Sequence, residues 1–183
     1  MTETLDNIIR GCQAGDSRAQ RELYVLFKDK MFGICLRYAG NFDDAQDIVH
    51  DGFVKIFMKI GQFRFEGSFE GWMRRIMVNT SLEKYRMHCQ VININDFTKE
   101  IDNTDSSDFS TEISARELVR FVQELSPRYR MVFNLYAIEG YSHKEISNMM
   151  DITEGTSKSN LSRARAILQE KVRKYFSQTA KIK

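Results

Sequence analysis

Apolar residues recur at three- and four-residue spacing along nearly all of this chain, and the only proline is Pro127. That spacing follows the 3.6-residue turn of an α-helix. A chain that keeps it for most of its length has to cover helix with helix, since few strands are available to bury the apolar stripes. Period-two alternation is confined to short pieces such as QVINI at residues 90–94. The expectation is an all-α protein. With 183 residues, 42% of them hydrophobic, the chain is long enough for one ordinary domain or two small ones.

The helical period lapses once. From 88 to 111, HCQVININDFTKEIDNTDSSDFST gathers Asn, Asp, Ser and Thr. It reads as a flexible acidic linker with a brief ordered segment at Val91 to Ile94, because structureless loops of this length are uncommon inside one compact fold. The expected organisation is therefore a helical domain over 1–88, a linker over 89–111 and a second helical domain over 112–183.

In the first unit a short helix carries Leu5, Ile8 and Ile9. A long one follows, capped by Asp16 or Ser17, with Ala19, Leu23, Leu26 or Phe27, Met31, Ile34, Cys35 and Tyr38 inward. DDAQDIVHDGFVKIFMKI then buries Ala45, Ile48, Val49, Gly52 or Phe53, Ile56, Phe57 and Ile60. After the loop GQFRFEGS, the next helix turns Phe69, Trp72, Met73, Ile76 and Met77 inward. In the second unit Ile113, Leu118, Val119 and Val122 or Phe121 form the first stripe. Ser126 followed by Pro127 starts another helix, and Ser142 with Glu145 three residues on matches a capping box.

The segment SHKEISNMMDITEGTSKSNLSRARAILQEKV has the length and punctuation of a helix-turn-helix, with Ile152 plugging the turn. Its second helix begins near Thr153 and turns Ser157, Leu161, Ala164 and Leu168 inward. Lys158, Ser159, Ser162, Arg163 and Ala166 face outward, with Asn160 and Arg165 on the flanks. Residues 151–183 hold eight Lys/Arg against three Asp/Glu, whereas residues 95–117 hold seven acidic residues against two basic ones. The whole-chain charge of +2 is uninformative, but this asymmetry steers a polyanion toward one end. Three readings of the basic helix stand at this point. It enters the major groove of DNA, it is a solvated surface helix, or it binds RNA or a partner helix. Donors at the helix start, Glu154 to Thr156, suit a phosphate oxygen, and Arg128 and Arg130 are placed to brace a nucleic-acid backbone.

Other chemistries find little support. Cys12, Cys35 and Cys89 show no CxxC or Cys/His spacing, and the opening MTETLDNIIRGCQ lacks a basic segment followed by an apolar run. No apolar stretch approaches the roughly 20 residues that cross a bilayer. The expectation is a reduced, soluble, cytoplasmic protein with no structural metal, no cofactor and no membrane insertion. Without a Gly-rich phosphate loop, a nucleophile paired with a base or an inward carboxylate pair, it is not expected to be an enzyme.

The order of the two units resembles a bacterial RNA polymerase sigma factor of the extracytoplasmic-function group, the minimal kind with only the second and fourth conserved regions. DDAQDIVHDGFVKIFMKI is similar to that family's polymerase-binding helix, and FRFEGSFEGWMRRIMVNTSLEKYR to its promoter-melting segment. LSPRYRMVFNLYAIEGYSHKEISNMMDITEGTSKSNLSRARAILQ is similar to its C-terminal helix-turn-helix. The resemblance covers residues 5–86 and 112–176.

The resemblance implies that the first domain grips core RNA polymerase through Asp44, Gln46, Asp47 and Asp51, an acidic ridge opposite the buried stripe. It implies that the same domain opens promoter DNA at the −10 element. A flipped base would be held there by Phe65, Ser68, Phe69 and Asn79, with Arg64, Arg75 and Lys84 on the strand. Extruding a base costs a few kcal/mol, and stacking it on an aromatic ring returns about 1–3 kcal/mol. Opening without a nucleotide cofactor is thus within reach of binding energy alone. The second domain would read the −35 duplex through Arg128, Thr156, Lys158, Ser159, Asn160, Ser162 and Arg163. The linker would thread toward the RNA exit path, and an anti-sigma factor is an implied partner. Where the family often has Val and Arg, this chain has Ser157, which weakens the inner face, and Asn160, whose amide is able to read adenine. A helix-turn-helix regulator acting without core polymerase is the alternative.

Overall fold

The computed structural model describes residues 2–92 and 113–180. Among the described residues every regular element is helical, and the chain divides into two compact units, Met1–Lys84 and Tyr85–Lys183. The expected linker falls mostly outside the described residues. Its first part does not: the helix that starts at Phe69 continues through Ile92, so residues 89–92 belong to that helix and the strand-like reading of Val91 and Ile92 is corrected.

The first unit begins with α1 (Thr2–Gln13) and α2 (Ser17–Tyr38). Asp16 is the cap of α2, its carboxylate accepting the Arg18 N–H at 2.9 Å. Phe27 lies inside and Leu26 is 55% exposed, which settles the choice between them. Next comes α3 (Phe42–Lys59), where the Asn41 side chain accepts the Asp44 N–H at 2.8 Å, and Asp43 and Asp44 sit where the helix dipole favours negative charge. It buries Ala45, Ile48, Val49, Gly52, Phe53 and Ile56, whereas Phe57 is half-buried rather than inside. A 3-10 turn over Ile60–Gln62 leads into the loop that precedes α4 (Phe69–Ile92).

Gly52 of α3 lies directly against Met77 of α4. A Cβ there would lie 2.2 Å from the Met77 Sδ and 2.9 Å from its Cε, and Met77 is fully buried. Gly52→Val is expected to destabilise the unit by about 2–3 kcal/mol through overpacking, read as a lower urea midpoint. Gly52→Ala should cost less, since better helix propensity returns ~1 kcal/mol.

The second unit contains α5 (Ala115–Gln123), α6 (Pro127–Phe133), a π-helical turn over Asn134–Ile138, α7 (His143–Met150) and α8 (Glu154–Ala180). Its centre is built from Met131, Val132, Leu135, Ile146, Leu161 and Ala164. Pro127 occupies the first turn of α6, and Ser126 precedes it without a side-chain cap bond. The capping box of α7 is complete. The Ser142 hydroxyl accepts the Glu145 N–H at 3.3 Å and the Glu145 carboxylate accepts the Ser142 N–H at 2.8 Å. The Ser142 hydroxyl and backbone N–H hold that carboxyl below its ordinary range. Asp151, left-handed at φ 53°, ends α7 and turns the chain into α8. One expected stripe is not inside: Leu118 is 44% exposed and no residue of α5 is buried. This nine-residue helix sits at the rim with α8 as its main neighbour, so its stripe is only half covered.

Candidate nucleic-acid interface

Asp44, Gln46, Asp47 and Asp51 are all exposed along α3, opposite its buried stripe, and His50 shares that outer side. The Asp47 side chain is 75% exposed. The Lys84 ammonium on α4 lies 3.6 Å from the Asp47 carboxylate and 3.2 Å from that of Asp51. Lys84, expected with the −10 residues, lies beside this ridge. These ion pairs run between α3 and α4. Such solvent-facing pairs contribute about 0–1 kcal/mol.

The loop between the 3-10 turn and α4 is aromatic. Phe63 and Phe69 are buried with ring centroids 4.9 Å apart, and Phe69 also meets Phe27 at 6.0 Å and stacks on Trp72 at 5.5 Å. Phe69, 5% exposed, is therefore a floor of the cluster rather than a platform for a base, which corrects its place among the pocket candidates. Its position at the first turn of α4 sets it against Phe27 of α2. Phe65 differs: its ring is half-buried, 5.3 Å from Phe63, on a backbone at φ 60°. The Ser68 hydroxyl accepts the Gly71 N–H at 3.1 Å and so starts α4. Arg64 is exposed beside Phe65, while Arg75 and Asn79, one helical turn apart, share the outer face of α4. The structure thus gives Ser68, Arg75 and Asn79 exposed positions, and Phe65 a half-buried one, on one loop and helix. Trp72, half-buried and three residues before Arg75, lies beside that outer face.

On α8 the inner side carries Ser157, Leu161 and Ala164 as expected, and Lys158, Ser159, Ser162 and Arg163 are exposed. Asn160 is a correction. It is 4% exposed and its Nδ2 has no hydrogen-bond partner, so its amide faces the unit's interior and is not presented to a base. The inner face of α8 is wider than its central stripe because α6 and α7 both pack on this helix. Ser157 is a second correction. Its hydroxyl lies 2.9 Å from the His143 Nδ1, and the His143 ring stacks on Tyr136 at 4.6 Å. The hydroxyl therefore links α7 to α8 rather than weakening the inner face.

Thr156 is half-buried, with its N–H donating to the Thr153 hydroxyl at 3.0 Å, so this helix-start donor is already used. The Ser159 hydroxyl donates to the Thr156 carbonyl at 3.0 Å, and the Arg163 Nη1 to the Tyr129 hydroxyl at 3.3 Å. Arg128 is exposed, as a backbone brace needs, but Arg130 is buried and donates to the Gln123 carbonyl at 2.7 Å. Arg130 is therefore structural.

Replacing Lys158 and Arg163 together with Gln is expected to lower the salt slope of duplex binding by about 1.8, at ~0.9 per lost phosphate contact. Asn160→Ala should leave base preference unchanged. Fluorescence anisotropy across a salt series, with a panel of duplexes, measures both.

Cys12 and Cys35 are buried, and burial pushes their thiols up to about 11 and about 12. A thiolate at neutral pH is thereby disfavoured at both positions. The Cys89 side chain lies outside the described residues. Among the described residues no His, Cys, Asp and Glu cluster is suited to a metal ion, and no helix is long and apolar enough to cross a membrane.

An acidic ridge and an aromatic loop on one unit, with a basic helix-turn-helix on the other, match two known sequence families. The sigma-70 region 2 model matches residues 23–88, and the sigma-70 region 4 model matches residues 115–168. The chain is a sigma factor of the extracytoplasmic-function group. Among its relatives is the ECF RNA polymerase sigma-E factor of Escherichia coli K12, 29% identical over 188 residues that span 94% of this chain and 97% of the relative. The ECF RNA polymerase sigma factor SigE of Mycolicibacterium smegmatis is 28% identical over 165 residues, covering 87% of this chain and 63% of that protein. In fold, the chain is similar to the sigma factor RpoE of Bartonella quintana, solved with the anti-sigma factor NepR. There the TM-score is 0.53 and the identity 21%, over 84% of this sigma factor and 96% of that chain. The sigma factor's two matched regions fall to either side of the segment expected as a linker.

Proposed function

We propose that this sigma factor divides promoter work between its two units and binds core RNA polymerase through the first. The ridge of Asp44, Gln46, Asp47 and Asp51 on α3 meets basic residues of the polymerase, where charge complementarity gives rate and specificity. Phe65, Ser68, Arg75 and Asn79 take the −10 strand. The Phe65 ring stacks an unpaired base, the Asn79 amide reads an edge, and Arg64 and Arg75 hold phosphates. Lys158, Ser162 and Arg163 on the outer face of α8, with Arg128, engage the −35 duplex. Residues 1–88 and 112–183 act as the two domains and 89–111 as the connecting linker. An anti-sigma factor is a further partner, and the protein works in the cytoplasm as a binding subunit rather than an enzyme.

The observation that carries this reading is the exposed position of Asn79 and Arg75 on α4 directly after a half-buried Phe65 in an aromatic loop. The test adds purified protein to core polymerase and measures run-off transcription from templates premelted at −10 and from fully duplex ones. Start-site-specific transcript from both is expected. Duplex binding by the protein alone, without core association or transcript, would instead establish a regulator that acts without polymerase.

A further inference from the structure

The loop that carries Phe65 does not hold its shape alone. Phe65 has φ 60° and Gly67 φ 92°. A bulky non-glycine residue in the left-handed region persists only where its surroundings hold it there. Besides the neighbouring Phe63 ring, those surroundings come from α1, some fifty residues earlier in the chain. The Gln13 Nε2 donates to two carbonyls, of Ile60 and of Phe63, at 3.0 Å each. The Arg10 guanidinium lies over the Phe65 ring, 4.5 Å from its centroid. α1 is itself well anchored: Ile9 and Cys12 are buried, and a Cβ on Gly11 would stand only 2.7 Å from the Ala19 Cβ of α2.

We propose that Arg10 and Gln13 are positioning residues of the −10 interface, setting the loop backbone and the Phe65 ring so that a flipped base meets a preformed surface. The proposal rests on the reading of this loop as the base-capturing element. Gln13 anchors the turn before the loop through both of its amide hydrogens. Arg10 covers one ring face by cation–π attraction and limits the side from which a base can stack. Preorganisation of this kind lowers the ordering cost of binding, so its loss appears in base capture and not in polymerase affinity.

The experiment uses the full chain with core polymerase and a template pool randomised across the −10 and −35 elements, reading sequence preference from run-off transcripts. Arg10→Ala is expected to reduce transcription from a selected duplex template about threefold to tenfold, the size of a partly exposed cation–π contact, and to flatten preference within the −10 element only. Core affinity and −35 preference should stay as in the parent. Arg10→Lys, which keeps a cation over the ring, should restore most of the loss. Arg10→Ala should have little further effect in a Phe65→Ala background, because the two residues act as one unit.

Additive losses, or unchanged −10 preference in Arg10→Ala and Gln13→Leu, would overturn the proposal. Thermal midpoints of all variants accompany the assay. If Gln13→Leu unfolds, the exposed Arg10 and its Lys variant decide the matter. If Phe65→Ala itself leaves −10 preference intact, the reading of the loop fails. If Phe65→Ala alters it and the α1 variants do not, only the role of α1 fails.

Discussion

Asp47→Arg is expected to weaken association with core RNA polymerase on the order of 100-fold, since a like charge placed in a complementary interface costs several kcal/mol. The Asp47 side chain is 75% exposed, so the substitution leaves the core of the first unit untouched. The same carboxylate lies 3.6 Å from the Lys84 ammonium, which raises the question of whether a lost internal ion pair accounts for the effect. Lys84→Ala answers it. That variant removes the pair but keeps the ridge, and its core affinity should change less than about threefold, as for a solvent-facing pair of about 0–1 kcal/mol. Surface plasmon resonance with immobilised core enzyme measures both. A normal affinity for Asp47→Arg would mean that the ridge is not the polymerase-binding surface.

The second large effect is expected at Asn79. Asn79→Ala should reduce open-complex formation on duplex promoter DNA by about 10- to 100-fold, because a side chain that reads a base edge is worth about 1–3 kcal/mol. Transcription from a template premelted at −10 should fall less, since the unstacking cost has been met in advance. Asn79 is exposed on α4, so a thermal midpoint within a few degrees of the parent is expected. Permanganate footprinting of unpaired thymines separates opening from binding. Equal losses on duplex and premelted templates would place Asn79 in strand contact alone and not in opening.

Much of the architecture was legible because helix chemistry is local. The Asp16 cap and the Ser142–Glu145 box follow from side chains that bond to backbone within three residues, and the start at Pro127 from a ring that fixes φ and lacks the N–H the first turn leaves unpaired. The inner stripe of α8, from Ser157 through Leu161 to Ala164, follows from the turn of the helix itself. The order of region 2 and region 4 motifs was legible for a different reason, since it is a matter of chain order and needs no geometry.

What the residues alone determined about this sigma factor is which segments are helical, where they begin and which side of each is apolar. Only the tertiary structure decided how wide each buried side becomes. Asn160 lies at the edge of the α8 stripe, and it is inside because α6 and α7 both pack on that helix. Leu118 lies within the α5 stripe and is partly outside because the helix sits at the rim. Phe69 was drawn into a ring cluster with Phe27 and Phe63, and Lys84 was drawn to Asp51. Arg10 over Phe65 had no local signal at all. Periodicity states an angle about one helix axis, whereas burial and pairing depend on neighbours that arrive from elsewhere in the chain.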